Sequence, residues 1–189
     1  LPWLGPVPRC MVLVQFFGGM RPGEVCRMQP GEIDTGGEVW LYRPTEHKTD
    51  ASGAKLVKAI PPIVQPFLAV FLDREPDLYC FDPHDNRRFG GHAPTGRSAH
   101  HYSPGAYRKA IRHAIQTAAR HGVGLRHFAP YDLRHAAATL VSNRIGREAA
   151  QHWLGHEDMA TTEIYVSREV DELQRIAGQL SAVWSELLA

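Results

Sequence analysis

Stretches in which apolar residues recur every three or four positions alternate along the chain with shorter stretches rich in glycine, proline and polar residues. The three-to-four spacing is typical of helices that bury one face, so the sequence predicts a mainly helical protein. Helices are predicted over residues 8–17, 21–28, 63–73, 104–121, 148–154 and 170–188, with one more that begins after Asp132. The first of these is apolar on most sides, which predicts that it is buried.

Two segments have the alternation of strands instead. Residues 38–44 and 54–60 alternate apolar and polar positions, and the first is rich in β-forming side chains. Turn-forming residues lie before and between them, at 34–37 and 51–53. The sequence therefore predicts an α+β fold that is mainly α with a small antiparallel β-sheet, and it places Lys48 near the tip of a hairpin.

The segment after Asp132 contains three candidate catalytic residues, and its predicted helices determine where they lie. Asp132 suits the N-cap of a helix that ends between Asn143 and Gly146. The next helix, 148–154, should end on Gly155 as its C′ residue, which turns the following residue, His156, away from the helix axis.

Arginine, histidine and tyrosine side chains recur across this segment, at Arg134, His156 and Tyr165. An arginine suits bidentate recognition of phosphate, a histidine can donate a proton or hydrogen bond, and a tyrosine can be a nucleophile that forms a covalent intermediate. Tyr165 lies in a polar segment. Phosphoryl transfer also needs a further fixed cation, and Arg21 supplies one, with Glu24 placed to orient it or to cap a helix.

Four short motifs hold these residues in order: G-x-R-x-G-E at Arg21, D-L-R-H at Arg134, L-G-H at His156 and T-x-x-Y at Tyr165. Together they resemble the catalytic domain of the tyrosine recombinase (phage integrase) family. They extend over most of the 189 residues. Each motif alone is weak, and the ordered set is specific.

The resemblance implies how the site works. Arg21 and Arg134 clamp the scissile phosphate of DNA, His156 supports it, and Tyr165 attacks to give a 3′-phosphotyrosine link. A lysine of the β-hairpin acts as the acid for the leaving 5′-oxygen, and Lys48 falls where that lysine belongs. The resemblance implies no metal and no cofactor.

Two points of this assignment stay open in the sequence. Lys55 and Lys58 are rivals of Lys48 for the role of the acid. Tyr131 stands where the family usually has a histidine, three residues before the second arginine. A phenol still hydrogen-bonds a phosphoryl oxygen, but with a reference pKa of about 10 it is a poor proton shuttle at neutral pH. Tyr131 and Tyr165 each have an alternative as core-packing residues.

The expected function is thus that of a site-specific DNA recombinase. The alternatives are a DNA-binding module of the same fold that has lost catalysis, and strand cleavage like that of a type IB topoisomerase.

Expected partners are double-stranded DNA and other protomers of a DNA-bound synaptic tetramer. The C-terminal helix at 170–188 is expected to contact those protomers; the alternative is that this helix packs on the core of its own chain. The family's N-terminal core-binding domain is absent from this sequence, so residues 1–189 are expected to form a single catalytic domain, monomeric in solution, that binds DNA weakly alone.

Composition adds limits. The formal net charge is only +1, so DNA binding requires a local basic face. The outer side of helix 104–121 offers such a basic face, unless it is simply solvated.

Cys10, Cys26 and Cys80 form no paired spacing, which indicates a reducing compartment. The absence of a long apolar run or signal peptide in the sequence predicts a cytoplasmic protein without membrane contact.

Residues 82–103 predict a long loop rich in histidine, arginine and glycine. Loops of this length are usually functional or mobile. Three interpretations stay open: a loop that contacts phosphate, a histidine-based metal site, and a solvated insertion, of which the metal site is the least favoured.

Overall fold

The computed structural model describes residues 2–45, 56–92, 100–155 and 163–188, and within the last range the side chains at 163–169, 182, 184 and 186–188 are not described. Its helices are α1 (Pro6–Phe17), α2 (Pro22–Arg27), α3 (Gln65–Ala69), α4 (Pro104–Arg120), α5 (Pro130–Arg144), α6 (Arg147–Leu154) and α7 (Glu163–Leu188). Its strands are β1 (Ile33–Asp34), β2 (Trp40–Tyr42) and β3 (Lys58–Ile60). The predicted fold class, mainly α with a small antiparallel sheet, is confirmed.

The sheet is antiparallel with the order β1-β2-β3. Leu41 pairs with Asp34 on one side and with Ala59 on the other, which fixes the register of all three strands. Strands β2 and β3 lie inside the two predicted segments and are shorter than predicted. Strand β1 was not predicted, because its two residues are too few to show an alternation. Lys48 and Lys55, which come between β2 and β3 in the sequence, lie outside the described residues.

Helix α1 is the centre of the core, as its apolar sequence predicts. It packs against α2, α3, α4 and α5. Val7, Met11 and Val14 are fully buried. A proline at the first helical position suits the start of α1, since the missing N–H has no partner there anyway. Gly18 ends the helix, and this places the Arg21 segment directly beside the core.

Helices α4 and α6 confirm the sequence predictions closely. Ser103 caps α4 through its hydroxyl, which accepts a hydrogen bond from the Ala106 amide at 3.1 Å. Gly155 ends α6 in the left-handed conformation with φ of 61°. A positive φ costs a residue with a Cβ energy that glycine avoids, so this turn follows from the sequence.

Three predictions on helix boundaries are wrong. Helix α5 begins at Pro130, and Asp132 is its third residue and not its N-cap; the Asp132 carboxylate accepts a hydrogen bond from the Ala129 amide at 2.8 Å. Helix α3 covers only Gln65–Ala69, after a short 3-10 helix, where one helix was predicted over residues 63–73, and Phe67 on it is exposed. Helix α7 begins at Glu163, so Tyr165 lies in its first turn.

The loop predicted over 82–103 contains a 3-10 helix, Pro83–Asn86, and residues 93–99 lie outside the described part. Cys10, Cys26 and Cys80 are buried free thiols, as predicted. Among the described residues, no helix has both the length and the apolar character needed to cross a membrane.

Candidate active site

The turn after α1 brings Arg21 to the edge of the core. Gly19 has φ of +60°, and a Cβ there would lie 3.0 Å from Cδ1 of Trp153, a buried residue of α6. The chain therefore passes close to α6 only because position 19 has no side chain. Arg21 follows as the N-cap of α2.

Glu24 holds Arg21 in place from one turn further on. Its carboxylate accepts hydrogen bonds from the Arg21 amide at 2.7 Å and from Arg21 Nη1 at 3.0 Å. Glu24 is buried and the Arg21 side chain is 25% exposed, so the cation is fixed on one side and open on the other. The predicted structural role of Glu24 is confirmed.

Arg134, from the second turn of α5, lies 6% exposed between the turn after α1 and the end of α6. Its Nη1 donates a hydrogen bond to the Gly19 carbonyl at 2.6 Å, and its Nη2 donates to the Leu154 carbonyl at 2.9 Å. One guanidinium thus joins the segment two residues before Arg21 to the segment two residues before His156. These bonds use two of the five N–H donors of an arginine, so the same group can also bind an oxyanion.

The two arginines are electrostatic neighbours. Burial lowers the pKa of Arg134; the negative charge of Glu24 opposes this, and the positive charge of Arg21 adds to it. Partial burial also lowers the pKa of Arg21, but the hydrogen bond and charge of Glu24 outweigh it and leave that pKa raised. Both groups remain cationic at neutral pH. Two fixed cations in one place can bind an oxyanion such as a phosphate group.

Tyr131 is the third side chain of this group. Its hydroxyl contributes to the raised pKa of Arg21, so the two side chains are neighbours. Tyr131 is 49% exposed, which argues against the core-packing alternative. A buried amide fixes the start of its helix: Gln15 Nε2 donates a hydrogen bond to the Pro130 carbonyl at 2.7 Å.

Lys58, a rival of Lys48 for the role of the acid in the sequence analysis, lies beside this group of side chains and belongs to the sheet. Lys58, in β3, is fully buried, and its Nζ donates a hydrogen bond to the Leu154 carbonyl. The same carbonyl accepts the bond from Arg134. No sequence pattern could have found this contact, because β3 and the end of α6 are 96 positions apart.

Three predicted site residues cannot be placed. Lys48 and His156 lie outside the described residues. Tyr165 belongs to α7, and its side chain is not described. Of the six predicted site residues, the structure thus brings Arg21, Tyr131 and Arg134 together, and it places the chain immediately before His156 beside them.

One group of metal-ligating side chains occurs in the described part of the chain. Ligand atoms of Asp82, His84 and His100 lie within 4.8 Å of one another. His84 Nδ1 lies 2.7 Å and His100 Nδ1 3.1 Å from separate oxygens of Asp82. Hydrogen bonds to one carboxylate therefore account for the arrangement without a metal.

Comparison with known proteins fits this geometry. The model of the Phage integrase family matches residues 7–172. The crystal structure of XerH site-specific recombinase bound to difH substrate, a pre-cleavage complex, is similar in fold with a TM-score of 0.55 and 13% sequence identity. The similarity covers 87% of this chain and 46% of the XerH chain, so this chain spans about half the length of that protein. No curated protein matches the sequence.

Proposed function

Because the chain belongs to the phage integrase family, we propose that residues 1–189 are a single catalytic domain of a site-specific DNA recombinase. One observation carries this proposal: Arg21 and Arg134, which are far apart in the sequence, lie beside each other with Tyr131 at the end of α6. Two guanidinium groups with their own fixed partners form a rigid binding site for one phosphodiester of DNA.

The proposed roles follow from the chemistry of each group. Arg21 and Arg134 bind the non-bridging oxygens of the scissile phosphate. Tyr131 donates a hydrogen bond to the phosphate from the place of the family's histidine. His156, two residues after the carbonyl that Arg134 binds, supports the same oxygens. Tyr165, in the first turn of α7, is the nucleophile.

Cleavage then forms a bond between phosphorus and the phenolic oxygen of Tyr165 and breaks the bond between phosphorus and the 5′-oxygen. Lys48 gives a proton to the leaving 5′-oxygen, and the proton of the phenol passes to a base of the site. The bond energy is kept in the phosphotyrosine, so a 5′-hydroxyl of another strand can reverse the step and rejoin DNA. The cations supply the charge stabilisation that a metal ion provides in other phosphoryl-transfer enzymes.

We propose double-stranded DNA as the substrate and a DNA-bound tetramer as the active assembly, joined through the C-terminal part of α7. One observation supports DNA binding. Arg108, Lys109 and Arg112 lie on the outer side of α4, and all three are exposed. A basic face of this kind compensates for a net charge of only +1.

The second candidate function is DNA binding without catalysis. Tyr131 favours this alternative, because its phenol replaces an imidazole and transfers protons poorly at neutral pH. Type IB topoisomerase-like cleavage uses the same covalent step and differs in its outcome, which is relaxation of supercoils without exchange of strands.

A covalent-capture experiment tests the proposal. Nicked suicide duplexes with a randomised core trap the covalent intermediate. Cleavage beside the nick releases a short fragment that carries the new 5′-hydroxyl, and once this fragment has diffused away it cannot reverse the step. We expect a protein–DNA adduct that resists denaturing electrophoresis and disappears in Tyr165→Phe, while Tyr79→Phe, a control remote in sequence, keeps it. DNA binding without any adduct would favour the module, and relaxation of a supercoiled plasmid without recombinant products would favour the topoisomerase.

A further inference from the structure

Lys58 has a position that simple packing does not explain. It is fully buried in the last strand of the sheet. Lysine is almost never fully buried without a specific partner, because taking an ammonium group out of water is costly. One such partner is the Leu154 carbonyl at the end of α6, to which Lys58 Nζ donates a hydrogen bond. The buried ammonium group is therefore satisfied in part at the helix end that precedes His156.

That carbonyl is a natural site for cations. The last carbonyls of a helix have no partner inside the helix and carry its partial negative charge. Leu154 is the last residue of α6, and its carbonyl accepts hydrogen bonds from both Lys58 and Arg134. Removing the lysine would take away one of these two hydrogen bonds at the end of the helix.

The turn that follows is packed against the lysine. Gly155 adopts φ of +61°, and a Cβ added there would lie 2.9 Å from Lys58 Nζ and 2.8 Å from Leu56 Cδ1. Leu56 and Lys58 thus pack against the turn and leave no space for a methyl group at position 155. His156 is the next residue in the chain.

We propose that Lys58 is a positioning residue of the recombination reaction. It holds the Leu154–Gly155 turn so that Arg134 and His156 meet the phosphate in the correct geometry, and it does not touch DNA, since it is fully buried. This inference rests on the proposed function. It also separates two lysines of one hairpin, with Lys48 as the proton donor and Lys58 as the support of the turn.

The test compares two substrates. One is the duplex enriched by covalent capture; the other is the same duplex with a 5′-bridging sulfur at the scissile phosphate. A thiolate leaves without a proton from the enzyme because thiols are far more acidic than alcohols. Lys48→Ala should lose about 10²- to 10⁴-fold in cleavage rate on the normal duplex, the typical contribution of a general acid, and recover most of it on the sulfur duplex.

Lys58→Met keeps the length of the side chain and removes its charge and its donor. We expect it to lose about 10- to 100-fold in cleavage rate on both substrates, the scale of a small misplacement of reacting groups, with unchanged KM for DNA. Lys58→Arg, which keeps a cationic donor, should recover part of the rate. A far-ultraviolet circular dichroism melt confirms that both variants are folded at the assay temperature.

Three results would overturn the inference. Recovery of Lys58→Met on the sulfur duplex would make Lys58 the proton donor. A wild-type rate in that variant would remove any role, and equal losses in the Met and Arg variants would show that packing alone matters. These outcomes require an active wild-type protein, so they differ from failure of the proposed function, in which wild type forms no adduct and the inference falls with it.

Discussion

Substitution of Gly155 by alanine tests the turn that presents His156. The glycine has φ of +61°, and its Cβ would meet Leu56 Cδ1 at 2.8 Å and Lys58 Nζ at 2.9 Å. The left-handed conformation costs a residue with a Cβ about 1–2 kcal/mol. Overpacking of a buried site costs about 1–3 kcal/mol more. Alanine returns about 0.4–1 kcal/mol by restricting the unfolded chain.

We therefore expect Gly155→Ala to lower the free energy of unfolding by about 1–5 kcal/mol, the net of these effects. In a domain of this size, each kcal/mol corresponds to about 2–4 °C in Tm. The assay is urea denaturation followed by circular dichroism. The same variant should lose covalent adduct formation at temperatures where it is still folded, because the proposed site residue His156 directly follows this turn in the sequence.

Two other glycines provide matched controls. Gly122 has φ of +78° and no atom within 4 Å of its Cβ position, so Gly122→Ala isolates backbone strain and should change stability by less than about 1.5 kcal/mol. Gly178 lies inside α7 with open space around it, so Gly178→Ala should stabilise by about 0.5–1 kcal/mol. A Gly155→Ala variant as stable as Gly122→Ala would contradict this expectation, since close contact would then contribute nothing.

Three further predictions concern the cations, the thiols and metal ions. Arg134→Lys has one nitrogen that cannot span the Gly19 and Leu154 carbonyls, so urea denaturation should show a loss of about 1.5–3 kcal/mol, the value of one hydrogen bond from a charged group, and an unchanged midpoint would contradict this. Burial raises the pKa of Cys26 and Cys80 to about 12 from 9.0, so the contribution of these thiols to stability is complete below pH 9 and is lost as the pH rises towards 12. The double variant with alanine at both positions should therefore show a shallower fall in the free energy of unfolding between pH 9 and 10.5 than wild type, and equal slopes would count against this. Adduct formation should persist in excess EDTA, because arginine and lysine supply the positive charge, and a requirement for added Mg²⁺ would disprove that.

The parts of the fold that could be predicted are those whose signals are local. Helix α4 has an amphipathic pattern and a serine cap, and α6 ends on a glycine, so both were located to within about a residue or two. The start of α5 was misplaced because Asp132 was interpreted as an N-cap. The proline at position 130 carried the better signal, since proline favours the first turn of a helix.

The site was predicted in its residues but not in its connections. Motif order identified Arg21 and Arg134, yet it gave no sign that the Arg134 guanidinium binds the carbonyls of Gly19 and Leu154. Backbone carbonyls are the same at every position, so a sequence cannot indicate which of them a side chain will reach. The role of Lys58 was hidden for the same reason.

These backbone contacts change how the second arginine should be understood. Arg134 is 6% exposed, and two of its donors are occupied by the protein itself, so it is a structural element as well as a candidate ligand for phosphate. The Gly19 carbonyl lies two residues before Arg21, and the Leu154 carbonyl lies two residues before His156. Any movement of Arg134 towards a bound phosphate would therefore pull on both segments at once. A site built this way can hold its separate groups in register only while that guanidinium stays in place, and the bond from Lys58 to the same Leu154 carbonyl helps to keep its acceptor fixed.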